Sequence, residues 1–198
     1  RIPLVQNGTV DIECGSTTNN ATRQKDVAFA VTTFVTEVRI AVKANSGITP
    51  IAQLKDKSVA TTTGTTSVQL LRKHERANGI DFKEVFGKDH ADSFLLLESG
   101  RADAFVMDDY ILAGLIARSK NPAGFKITGE PLSLEPIAIM IRKDDPAFKK
   151  AVDDSIIGMM KSGELEKILA KHGLQPGADT KAAWAHPNDK PAEEYAKK

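Results

Sequence analysis

Four short stretches of the chain gather the residue types that hold a small charged molecule. Gly64-Thr65-Thr66-Ser67 follows a strand-like run and opens a helix. Its unpaired backbone N–H groups, its hydroxyls and the positive end of the helix dipole suit a carboxylate. The segment lacks the Gly-Lys-Ser/Thr ending of a phosphate-binding loop, which argues against a nucleotide. A plain threonine N-cap explains the same residues without a ligand, and on this segment alone it is the commoner outcome.

The second stretch, Cys14-Gly-Ser16-Thr-Thr18-Asn-Asn-Ala-Thr-Arg23, places hydroxyl side chains and an arginine in one loop and helix start. A guanidinium there can grip a carboxylate with two parallel bonds, so Arg23 is the expected anchor. A capped helix with a solvated arginine fits equally well. In the third, Val106-Met-Asp108-Asp109 ends a strand with two carboxylates. Adjacent residues point in opposite directions, so the pair is not a catalytic dyad. Asp108 is the candidate partner for an ammonium group and Asp109 the expected N-cap of the next helix. Finally, Lys88-Asp-His90-Ala-Asp-Ser93 lies at another strand-to-helix junction. A lone histidine is usually a cap or a surface residue, but beside a ligand carboxylate the imidazolium form of His90 is favoured and can read a negative side chain.

Charge and cysteine usage narrow the remaining classes. Twenty-seven basic against 26 acidic side chains leave a formal charge of +1, so neither nucleic acid nor an anionic membrane surface is the expected partner. Cys14 has no cysteine to pair with in this chain. His74, His90, His172 and His186 lie far apart, no Cys/His grouping has zinc spacing, and neither a metal nor a cofactor is expected. No apolar run approaches the roughly 20 residues that span a bilayer, and no secretory signal is visible. The sequence opens on Arg1 rather than Met, so the whole gene product is expected to be longer.

The elements that must position these groups follow from periodicity. From Ser58 to Pro131 strand-like and helix-like runs alternate, the pattern of a mostly parallel sheet covered by helices. Strands are predicted at Ser58–Thr62, Phe82–Phe86, Ala104–Met107 and Phe125–Thr128. Helices are predicted at Thr66–Asn78, Ala91–Ser99 and Tyr110–Ser119. Two β-like runs, Thr36–Lys43 and Pro136–Arg142, flank this unit. Pro146 to His172 has a helical period broken at Gly163, and the tail from Pro176 is expected to wrap the surface or fray. One internal similarity stands out. Leu4-Val-Gln-Asn-Gly8-Thr-Val-Asp11 matches Leu96-Leu-Glu-Ser-Gly100-Arg-Ala-Asp103, each reading as helix end, glycine cap, turn and strand. Eight residues beyond each glycine stand Ser16 and Asp108, at the strand ends where open α/β sheets place ligands.

With Arg1-Ile-Pro-Leu, Glu13-Cys-Gly-Ser-Thr-Thr-Asn-Asn20, Gly64-Thr-Thr-Ser67, Lys88-Asp-His-Ala-Asp-Ser-Phe94 and Met107-Asp-Asp109 in order, the chain resembles the glutamate/aspartate-binding proteins of bacterial ABC importers. The likeness runs to about Leu169. It implies an α/β type II periplasmic-binding-protein fold, two lobes joined by two crossing strands that close over the ligand. Residues 1–38 and 137–198 would form a partial first lobe and 39–136 a complete second lobe. Carried over residue by residue, Arg23 would hold the ligand's α-carboxylate with Thr18 and Thr66. Asp108 and Ser16 would take the α-ammonium, and Arg1 and His90 the side-chain carboxylate.

The resemblance further implies a periplasmic protein without catalytic residues, whose partners are an acidic amino acid and the importer's membrane subunits. It does not separate glutamate from aspartate, which differ by one methylene. The first strand, helix and second strand usual in such proteins are absent from this sequence. An unpaired edge prone to self-association or strand exchange is therefore expected, from truncation, proteolysis or an oligomer that fills the gap. The same fold also supports enzymes of the cyclohexadienyl dehydratase kind and receptor sensor domains, so the site must decide between them.

Overall fold

In the computed structural model residues 1–195 are described. The chain divides into two compact units, Arg1–Thr36 with Leu134–Lys198, and Glu37–Ser133.

The continuous unit is built on a five-stranded sheet. Its strands are β3 (Phe34–Lys43), β4 (Ser58–Thr62), β5 (Lys83–Gly87), β6 (Ala104–Asp108) and β7 (Phe125–Ile137), in the spatial order β5-β4-β6-β3-β7. β4 pairs in parallel with both β5 and β6, and β3 runs antiparallel to β6. The side-chain alternation of the strands sorts the core into two layers. Val38, Ile40, Val42, Val59, Ala104 and Val106 face one side, where Leu71 of α2 (Thr66–Asn78) packs. Ala41, Ala60, Phe105 and Met107 face the other, under Phe94 and Leu97 of α3 (His90–Glu98) and Leu112 of α4 (Asp109–Arg118). Burial on both faces explains why β6 is apolar from Ala104 to Met107 rather than alternating.

Local chemistry sets the helix bounds. Gly79 ends α2 in the left-handed region, at φ 60°. Asp89 caps α3 by accepting from the Asp92 N–H at 2.8 Å. The start of α3 lies against the end of β5 so closely that a Cβ on Gly87 would stand 2.2 Å from Ser93 Oγ and 2.5 Å from Ser93 N. Only glycine fits there.

The two-ended unit holds an antiparallel sheet in which β8 (Met140–Ile141) lies between β1 (Ile12–Glu13) and β2 (Ala28–Phe29). Val5 of α1 (Ile2–Gln6), Val27, Phe29, Ala138 and Met140 form one core cluster. Ala30, Val31, Ile156 and Leu165 form another with α5 (Pro146–Ser162) and α6 (Glu164–Lys171), which separate at left-handed Gly163.

One expectation needs correction. The chain from Phe125 to Ile137 is one 13-residue strand, not a short strand followed by a separate run beginning at Pro136. Pro131 is tolerated because β7 is an edge strand of the five-stranded sheet. The tail, expected to wrap the surface or fray, is held against its own unit over its described length. It forms α7 (Ala178–Ala185) and α8 (Ala192–Tyr195). Buried Thr180 accepts from the Val35 N–H at 2.9 Å, and Trp184 Nε1 donates to the Thr33 carbonyl at 2.9 Å.

Candidate ligand-binding site

In the continuous unit the parallel pairing of β5, β4 and β6 puts their carboxyl ends on one edge. Each end delivers one of the expected residues. β4 leads through Gly64 into α2 with Thr66 in its first turn, β5 leads into α3 with His90 as its first residue, and β6 ends on Asp108. This is where an open α/β sheet presents polar groups to a ligand.

The Thr66 segment is not the plain N-cap that its sequence allowed. Thr65 holds the N-cap position but its hydroxyl turns back to donate to the Thr62 carbonyl at 2.8 Å and makes no cap bond. Ser67 Oγ in the same turn is buried without a hydrogen-bond partner. His90 is half-buried. Its Nδ1 lies 2.9 Å from Thr62 Oγ1, which lies 2.8 Å from Ser93 Oγ, which donates to the Asp89 carbonyl at 3.0 Å. Thr62 and Ser93 are site-supporting residues that periodicity did not reveal; the available signal was a threonine ending a strand beside a histidine-led helix. Asp108, 4% exposed, itself occupies the N-cap position of α4. Asp109, expected as that cap, is the first helical residue, and its Oδ1 accepts from the Tyr110 N–H.

In the two-ended unit the loop after β1 folds around the Glu13 carboxylate, which accepts from the Gly15 N–H at 2.8 Å and the Thr17 hydroxyl at 2.7 Å. That grip places half-buried Ser16 at the turn, and it makes Glu13 another residue whose part only the structure reveals. Burial, with the negative charge of Glu13, raises the Cys14 thiol above its ordinary value. Thr18 is buried and bridges to Ile137. Arg23, 8% exposed, donates from Nη1 to the Thr18 carbonyl at 2.8 Å, and its backbone N–H is held by Asn20 Oδ1 at 2.8 Å. The structure thus brings Ser16, Thr18 and Arg23 together on one segment. Arg1 is exposed at the start of α1.

Both sets carry the kinds of group that can hold a small charged molecule. One offers a buried guanidinium with neighbouring hydroxyls, the other a buried carboxylate, a helix start and an imidazole. Among the described residues no three or more His, Cys, Asp or Glu side chains gather as a metal site, and no helix is long and apolar enough to cross a membrane.

The sequence profile of the bacterial extracellular solute-binding proteins, family 3, matches residues 1–175. The chain belongs to this family. Its fold is the type II periplasmic-binding fold, and the chain spans about two thirds of the length of the curated relatives it matches. The family 3 protein is 47% identical over 202 residues to the glutamate/aspartate import solute-binding protein of Escherichia coli K12, a match that covers 96% of this chain and 67% of that relative. It is 45% identical to the L-glutamate/L-aspartate-binding protein of Pseudomonas aeruginosa PAO1, covering 98% and 68%. Among solved structures it is similar to an ancestral arginine-binding protein bound to arginine, with a TM-score of 0.78 and 32% identity over 86% of this chain and 74% of that one. The cysteine-binding protein of Campylobacter jejuni shares the fold, with a TM-score of 0.77 at 24% identity over 86% and 66%. These relatives are binding proteins rather than enzymes.

Proposed function

We propose that this family 3 protein captures L-glutamate or L-aspartate in the periplasm and presents it to the membrane subunits of an ABC importer. The identity pattern carries this reading. Identity is 45–47% over nearly the whole chain to proteins named for the acidic pair, but 29–32% to glutamine-binding and 27–28% to histidine-binding relatives.

The residues fit the ligand's charges one by one. Arg23, with Thr18 and Thr66, takes the α-carboxylate, because a buried fork of donors matches its two oxygens. Asp108 and Ser16 take the α-ammonium, because a carboxylate and a hydroxyl offer the acceptor oxygens that an ammonium's N–H groups seek. His90 and Arg1 take the side-chain carboxylate, the charge that distinguishes glutamate from glutamine. Capture then consists of the two sets of residues engaging one ligand molecule, a state favoured by the ligand's own affinity for it.

Calorimetric titration with L-glutamate, L-aspartate, L-glutamine, L-histidine and L-arginine tests the reading. Heat of binding from the acidic pair alone supports it. Tighter binding of arginine or histidine than of glutamate would overturn the ligand class.

A further inference from the structure

The family profile stops at residue 175, yet the chain beyond it reaches back to the loop that carries Arg23. Asn19 is fully buried. Its Nδ2 donates to the Asp189 carbonyl at 2.8 Å, and its Oδ1 accepts from Gln24 Nε2 at 2.8 Å. The same Gln24 amide donates to the Asp189 carbonyl at 3.1 Å. The Ala192 N–H donates to the Asn19 carbonyl at 2.9 Å, and the Ala21 N–H donates to Glu193 Oε2 at 3.0 Å. Asp189–Glu193 therefore grips the Arg23 turn at Asn19, Ala21 and Gln24, on both sides of the arginine.

This segment is itself anchored. The Asn188 carbonyl accepts from the Thr32 N–H at 2.9 Å. Asp189 Oδ2 lies 3.2 Å from Lys149 Nζ, which also bonds Asp153 at 2.7 Å, and Asp153 accepts from the Val31 N–H. The strap, Asp-Lys-Pro-Ala-Glu, is polar apart from Pro191 and Ala192, so burial of an apolar face does not account for its docking. Apart from the Asp189 contact with Lys149, its long-range hydrogen bonds go to one loop, and that loop holds the guanidinium.

We propose that Asp189–Glu193 is a positioning strap for Arg23, with Asn19 and Glu193 as positioning residues. The proposal rests on the reading of Arg23 as the carboxylate anchor. A two-bond guanidinium–carboxylate contact has a narrow geometric tolerance, so the anchor's backbone must be held as firmly as its side chain. The Asn20 bond to the Arg23 N–H and the Thr18 carbonyl on Nη1 set the arginine within the turn. The strap sets the turn itself.

The test compares the wild-type chain with Glu193→Ala, Glu193→Gln and a chain lacking Pro191–Lys198, by glutamate titration, thermal melting and amide hydrogen exchange. Glu193→Ala should weaken glutamate roughly fivefold and the deletion on the order of tenfold. The melting temperature of Glu193→Ala should barely move, and exchange at the Ala21 and Arg23 amides should accelerate in both. Glu193→Gln, which keeps an acceptor oxygen, should stay within about twofold of wild type. Unchanged affinity in Glu193→Ala, or unchanged exchange at Ala21 and Arg23, overturns the strap; if the deletion unfolds the chain, Glu193→Ala decides. A wild-type chain that binds no acidic amino acid would sink the ligand reading instead, and exchange at the two amides would then judge the strap by itself.

Discussion

His90 Nδ1 lies 2.9 Å from the Thr62 hydroxyl, and that contact fixes which ring nitrogen carries a proton. Ser93 has one hydroxyl hydrogen and donates it to the Asp89 carbonyl, so it must accept from Thr62. Thr62 has then spent its own hydrogen and must accept from His90. Neutral His90 therefore carries its proton on Nδ1, and protonation adds the second at Nε2. Ring-nitrogen NMR should report Nδ1 as the protonated site. Thr62→Val breaks the chain, should cost about 1–2 kcal/mol of stability, and should weaken glutamate more than glutamine. Equal losses for both ligands would mean that His90 does not read the side-chain charge.

Arg23→Lys retains the positive charge but not the planar fork. Lysine delivers a single mobile ammonium, so affinity for every amino acid with a free α-carboxylate should fall at least about tenfold. The loss should be the same for glutamate and aspartate. Calorimetry that shows glutamate affinity unaltered in the lysine variant would remove Arg23 as the anchor.

Gly87→Ala tests the closeness of β5 to α3. The added methyl has nowhere to go without moving the Ser93 backbone, so the variant should lose about 1–3 kcal/mol in urea unfolding. Because Ser93 belongs to the His90 hydrogen-bond chain, glutamate binding should weaken with it.

Lys149 supplies a pH test. Burial alone would lower its pKa, but hydrogen bonds and charges from Asp153 and Asp189 outweigh that and raise it above the ordinary lysine value. A raised folded-state value stabilises the fold at pH below the unfolded value, and the contribution disappears as pH climbs through the folded one. Lys149→Met should therefore cost about 0.5–1 kcal/mol near neutral pH, a modest figure because solvent still reaches the pair. The difference from wild type should shrink above the ordinary lysine range. A gap that persists unchanged in strong alkali would assign the loss to packing rather than charge.

The elements of the continuous unit were largely legible. β4 and α2 occupy the bounds read from periodicity, and the remaining strands and helices from β5 to α4 shift by a residue at one end or both. Period and glycine punctuation are local signals, and those segments obey them. The Gly8 and Gly100 turns also take the left-handed conformation that their matched sequences require. What sequence could not supply is the set of long-range polar contacts. Thr62 meets His90 across 28 residues and Asn19 meets Asp189 across 170; neither pair leaves a periodic trace. The tail's composition left wrapping and fraying both open, and its order comes from the burial of Ala183 and the packing of Trp184 together with bonds to Thr33, Val35 and the Asn19–Gln24 loop.

The central place of β8 in its sheet has a consequence for synthesis. β1 and β2 both pair with Met140–Ile141, so neither has its ladder until a strand more than a hundred residues downstream has left the ribosome. At about 5–20 residues per second that wait is roughly five to twenty seconds. The continuous unit, closed on itself between Glu37 and Ser133, can fold in that interval. The turn that bears Arg23 leaves the ribosome more than 160 residues before the segment that gives it its last restraints. A nascent chain stalled before residue 188 would carry a formed sheet in the continuous unit while that arginine turn still lacked its tail contacts.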